Sequence, residues 1–174
     1  TLATVSVQLV ADGLVELTET LQIFLLSAEA VEGNKFNAHT NETRRGTGTI
    51  VNTDFAHVVM SDGASREGEC TPFSVYLSKP IAVNTWLEYK VVAPGGGAGL
   101  ARGLDVVPTE TIRIDFYAGQ QNASLCVNAS VTDMIVETNE AFTLALQSVN
   151  SSVRDSDYKA LFVTDRADGT GTIY

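Results

Sequence analysis

"DMIVETNEAFTLAL", residues 133–146, sets Asp133, Glu137 and Glu140 ahead of an alternating apolar run. A sister phrase, "DGLVELTETLQIFLL", occupies residues 12–26. Aligning Glu19 with Glu140 puts Asp12 on Asp133, Glu16 on Glu137 and Leu21 on Phe142. Further along, "GTGTIVNTD" (46–54) is matched by "GTGTIY" (169–174). An acidic turn and a strand written twice, each followed by the same Gly-Thr-Gly-Thr-Ile, indicate an internal repeat. Residues 1–54 are therefore read as the last three strands of one copy, and 55–174 as a nearly complete second copy. Three strands cannot close a core of their own. The strands missing from the first copy lie upstream or come from another chain, and upstream is the simpler source.

Around that phrase, alternation dominates and no window keeps helical periodicity for three turns. The second copy reads as seven strands near 57–62, 70–78, 85–92, 109–116, 122–131, 141–149 and 169–174. Turn-formers separate them: "SDGASREG", "SKPIAVN", "APGGGAGLARG", "YAGQQN" and the polar stretch after Asn150. Short strands without a helix predict an all-β fold, a seven-stranded antiparallel immunoglobulin-like β-sandwich, in tandem with the C-terminal part of a preceding copy.

Composition narrows the class. The chain has 174 residues, 44% hydrophobic and 18% charged, which is globular and not disordered. A net charge of −10 argues against nucleic acid, whose phosphates call for clustered Lys and Arg. No apolar run is long enough to span a bilayer, so no membrane insertion is expected in this segment.

The phrases "REGECTPFSVYLSKP", "LDVVPTETIRIDF", "TDMIVETNEAFTLALQSV" and "GTGTIVNTD" resemble the successive signatures of a Calx-beta repeat. The resemblance covers all of 55–174 and the end of a preceding repeat. It implies tandem β-sandwich modules of a long extracellular or cell-surface protein.

In an up-and-down succession of strands, three connections share one end of the sandwich. They carry Glu67, Asp105, and Asp133 with Glu137. Carboxylates a few ångströms apart repel by ~4 kcal/mol at an effective dielectric of 20. Water, a basic partner or a cation must offset that, and Ca²⁺ accepts loop carboxylates in forgiving geometry. In calcium-binding members of the family, ligands come from positions matching these four, which the resemblance makes a candidate metal set. By the same resemblance the first copy's candidates are Asp12, Glu16, Asn52 and Asp54. Thr132 and Met134 beside Asp133, and Thr53 between Asn52 and Asp54, stand where binding members carry more acid. Reduced ligand charge predicts weak affinity. The competing reading is that these acids end strands and cap turns. Glu19 and Glu140 are expected to fix their turn through backbone hydrogen bonds and not to bind metal.

Parity places Cys70 with Ser74 and Tyr76, and Cys126 with Asn128, on the face away from the apolar positions. If the two strands are neighbours, a Cys70–Cys126 disulfide is geometrically reasonable. It would close ~55 residues and stabilise by about 4 kcal/mol in the chain-entropy description. Two free thiols in a reducing compartment are the alternative. Four sequons (Asn41, Asn122, Asn128, Asn150) exceed chance pairing of Asn with Ser and Thr, and predict N-linked glycans. Asn41 and Asn150 are placed in connections opposite the acidic end.

No enzyme is expected. "PGGGAG" (94–99) lacks the Lys-Ser/Thr ending of a phosphate loop, and His39 and His57 have no G-x-S-x-G companion. Trp86 and Tyr89 are both read as packing inside the sandwich. The expected function is an extracellular adhesion or spacer module, stiffened by Ca²⁺ at interdomain junctions. Its partners would be neighbouring repeats, other copies, or cell-surface and matrix proteins. The alternatives are a subunit of a surface filament and a Ca²⁺-sensing regulatory domain.

Overall fold

The computed structural model describes residues 4–25, 45–92, 111–128, 139–153 and 156–174. The chain divides into two compact units, one built from residues up to Glu16 and from Asp54 onward, the other from Leu17–Thr53. The described residues are all-β, apart from one short 3₁₀ segment.

The larger unit holds two sheets that face each other across one core, as in a β-sandwich. Its strands are β3 (Ala56–Met60), β4 (Gly63–Ser65), β5 (Cys70–Leu77), β6 (Thr85–Val92), β7 (Thr111–Phe116), β8 (Asn122–Asn128), β9 (Glu140–Ser151), β10 (Phe162–Arg166) and β11 (Gly169–Ile173). One sheet runs β10-β3-β5-β8 and the other β4-β11-β9-β6-β7. Odd-numbered residues of β5 and β6 point inward: Phe73, Val75, Leu77, Leu87, Tyr89 and Val91 are all buried. The Phe73 and Phe142 rings meet edge to face between the sheets, with centroids 5.9 Å apart. Each such side chain contributes roughly 1.5–3 kcal/mol by leaving water.

Several sequence expectations are revised. The strand expected at 57–62 is β3, and the stretch read as the turn after it contains a further strand, β4, in the other sheet. The last strand, expected at 169–174, is β11, and it is preceded by an unexpected strand, β10, in the other sheet. Both changes of sheet happen at polar corners. Asp62 Oδ1 accepts the Thr170 N–H at 2.8 Å, and Asp168 Oδ1 accepts the Leu146 N–H at 2.8 Å. Gly63 packs so closely on the Pro72 carbonyl that a Cβ would collide with it. Sheet switching also makes the fold not purely antiparallel, since β10 pairs parallel with β3 and β11 parallel with β4.

The stretch after Asn150, read from its polarity as a loop, contains a 3₁₀ turn, η1 (Ser156–Leu161), and then β10. Polarity hid its anchor. Tyr158 is buried, shares a 3.0 Å hydrogen bond with Thr85 Oγ1, and packs edge-on against Phe162.

The smaller unit pairs β1 (Glu19–Phe24) with β2 (Arg45–Ile50). Its register is that of β9 with β11. Glu19 faces Ile50 and Leu21 faces Gly48, as Glu140 faces Ile173 and Phe142 faces Gly171. The third strand expected before Asp12 is absent among the described residues. Val5, Val7 and Leu9 alternate in sequence but are exposed. Alternation becomes a strand only where a neighbour completes the hydrogen bonds.

Candidate functional site

Strand register sets the composition of one end of the sandwich. Cys70 faces Asn128, Ile173 faces both Ser65 and Glu140, and Lys90 faces Thr111. The end of β6, the start of β7, the end of β8, the start of β9 and the end of β11 thus lie at the end that carries the β4–β5 turn. That turn is tightly built. Glu69 N–H donates to the Arg66 carbonyl at 3.0 Å, Gly68 takes φ +74°, and the Ser65 and Thr71 hydroxyls bond at 2.6 Å in a buried position. Glu67 sits in it, half-buried. Its three expected companions, Asp105, Asp133 and Glu137, lie outside the described residues. Among the described residues, no three acidic, His or Cys side chains group as a metal site would need.

The first copy's acidic residues have structural work. Asp12 Oδ1 accepts the Leu14 N–H at 3.0 Å, closing a turn whose Gly13 has φ +75°. A side chain that bonds its own backbone two residues on is the usual turn role of Asp. This turn presents Val15, which is 0% exposed against the β5–β6 connection. Val15 N–H donates to the Pro80 carbonyl at 2.9 Å, and Ala82 N–H donates to the Val15 carbonyl at 3.1 Å. The bridge to Ile81, itself 0% exposed, is parallel. Gly119 N–H in turn donates to the Ile81 carbonyl at 2.8 Å, so the seat is braced from behind. Beside it, Lys79 forms an ion pair with Asp54. Glu16 is half-buried, and Asn52 belongs to the smaller unit.

The seat at 80–82 was not visible in the sequence. Its one signal was Val15 itself, the apolar residue common to "DGLVE" and "DMIVE".

Cys70 and Cys126 form a disulfide with Cα atoms 5.6 Å apart. The reason is register: β5 and β8 are antiparallel neighbours, with Cys126 opposite Pro72 and Cys70 opposite Asn128. Even-numbered residues of both strands face outward, so the bridge lies diagonally on the outer surface. Asn122 and Asn128 are exposed on that surface. Asn150 is not in a connection, because β9 runs on to Ser151; it is half-buried, and its Nδ2 donates to Ser148 Oγ at 2.7 Å. Asn41 lies outside the described residues.

One expectation about packing changes. Tyr89 is in the core, but Trp86 has the opposite parity and stands on the outer face, half-buried. The Arg113 guanidinium covers it, 4.3 Å from the ring centroid, and also pairs with Asp115. Trp86, Arg113, Asp115, Tyr117 and Ser152 line an open cleft of about 330 Å³.

Comparison with the models of known protein families gives no match, and comparison with curated proteins gives none. The functional reading rests on the chain's own residues.

Proposed function

We propose that the chain is a non-enzymatic extracellular spacer or adhesion segment built from tandem Calx-beta-like modules. The observation that carries this is the shared register of the two Gly-Thr-Gly-Thr-Ile ladders, Leu21 on Gly48 and Phe142 on Gly171. A repeated phrase paired in a repeated register supports two copies of one unit, 1–54 and 55–174. By that repeat the "DGLVE" phrase belongs to the preceding copy, although its Val15 is seated on Ile81 within the larger unit. The disulfide supports an oxidising compartment. Among the described residues, no helix is long and apolar enough to cross a membrane.

Calcium is a second layer of this proposal. Glu67 with Asp105, Asp133 and Glu137 would supply the ligands, and a bound cation would relieve their mutual repulsion.

Two measurements on protein carried past Tyr174 test the reading. Small-angle scattering should report an extended monomer, whereas assembly into fibres would favour the filament alternative. Isothermal titration should give Ca²⁺-dependent heat that Glu137→Gln abolishes. Equal heat from both proteins, or none, removes calcium and leaves the spacer.

A further inference from the structure

Asn150 and Trp86 face each other across the β9–β6 ladder. Both lie on the outer face, between the core-facing Val149 and Leu87. The sequon that begins at Asn150 ends at Ser152. Ser152 is itself part of the cleft wall, beside Trp86 and Tyr117. Its backbone N–H is fixed to the Asn84 carbonyl at 2.9 Å, so this end of the sequon is rigidly placed. Tyr117, by contrast, is 67% exposed although it borders the cleft. An indole with Arg113 over one face and an exposed phenol, set beside Asp115 and Ser152, put flat ring surface next to planar hydrogen-bonding groups. That is the pattern of a small-ligand site with a few orienting polar groups.

We infer that this cleft seats the first sugars of an N-linked glycan on Asn150, with Trp86 and Tyr117 as its apolar walls. The inference rests on the extracellular reading above. Chemically, Asn150 Nδ2 bonds to the anomeric carbon of a lipid-pyrophosphate-linked oligosaccharide. The lipid pyrophosphate leaves with the electron pair of the broken C–O bond, and one amide proton is lost. The second amide proton remains, so the hydrogen bond to Ser148 Oγ is compatible with the modified side chain. Ser148 donates to Glu88 Oε2 at 2.6 Å, leaving its oxygen free to accept from Asn150. Those two bonds hold the amide on the outer face, where Trp86 is its cross-strand neighbour. Transfer precedes pairing of β9, so the half-burial of Asn150 in the folded chain does not oppose it.

The test uses the whole chain secreted from a glycosylating host, as wild type, Trp86→Ala, Asn150→Gln and the double variant. Peptide mass spectrometry reads occupancy, and thermal unfolding reads coupling. Asn150 should be occupied. Trp86→Ala should lower Tm by about 2–4 °C more in the glycosylated protein than in the Asn150→Gln background, the size of one contact in a protein of this length. Tyr117→Ala, which alters only a surface ring, should show a smaller coupling of the same sign, and serves if Trp86→Ala misfolds. An empty Asn150 beside occupied Asn122 or Asn128 overturns the cleft but leaves the compartment standing. Equal Tm losses with and without the glycan also overturn it. If all four sequons are empty and both cysteines reduced, the extracellular reading falls with it.

Discussion

Phe142 lays its ring over the Cα of Gly171, its partner in the β9–β11 ladder, filling the space a Cβ would need. Gly171 is thus a packing requirement. In the smaller unit Leu21 covers Gly48 in the same register, with more room.

Gly171→Ala should therefore destabilise the sandwich by about 1–3 kcal/mol, because the ring cannot retreat from a packed core. Gly48→Ala should cost well under that, since the end of a Leu side chain can turn aside. Urea unfolding of the two variants separates them. Equal losses would contradict the contact.

Val15→Ala should cost on the order of 2 kcal/mol, and Ile81→Ala roughly 2–5 kcal/mol, as a buried pair loses its packing. The double variant should lose less than the sum, the mark of residues in contact. Asp54→Asn should change stability by about 1 kcal/mol or less, because its ion pair with Lys79 is partly exposed to solvent. Proteolysis of the amino-terminal segment should quicken in Val15→Ala and not in Asp54→Asn.

Cys70 and Cys126 close a loop with a sequence separation of 56. Replacing both by Ser should lower stability by about 4 kcal/mol if the chain-entropy account holds. Reduction with a thiol should reproduce the loss in the wild type and have no effect on the variant. Because the bridge lies on the outer face, near-ultraviolet circular dichroism of the core aromatics should be unchanged.

Tyr89 keeps its hydroxyl in the core with no hydrogen-bond partner among the described residues. Burial first, and then the charge of Asp168, push its pKa far above its ordinary 10.0. Tyr158 is raised in the same direction by burial, against its hydrogen bond with Thr85. A raised pKa means that the folded chain keeps a proton the unfolded chain releases. The stability involved is intact below about pH 10 and is lost as pH climbs above it. Tyr89→Phe should shift the alkaline unfolding midpoint upward. At neutral pH it should be neutral or stabilising by about 1 kcal/mol, since it removes an unsatisfied group. A downward shift would mean that the hydroxyl has a partner after all.

Alternation carried much of this fold. The parity of 70–77 and 122–128 separated inside from outside and put both cysteines on one surface, because side chains alternate wherever a strand is half-buried. The repeat likewise marked both strands of the ladder that pairs Phe142 with Gly171, though not their pairing. Parity says nothing, however, about which sheet a strand joins, so the splitting of 56–65 between two sheets was invisible. Nor could it show Tyr158, whose polar neighbours disguised an anchor; Trp86 was read as packing against its own parity, which puts it outside. At the candidate site, acids were conspicuous and their geometry was not. Asp12 shapes its own turn, and the residue that docks is the unremarked Val15 between the acids.

The parallel pairing of β4 with β11 and of β3 with β10 has a mechanical consequence. The larger unit's segment from Asp54 to Tyr174 begins with β3 and ends with β11, each of which runs parallel to one of its partners. Traction applied at Asp54 and Tyr174 would pull along those ladders, loading their hydrogen bonds together in shear instead of unzipping them one by one. A segment that bears tension between two anchored ends would profit from being threaded this way.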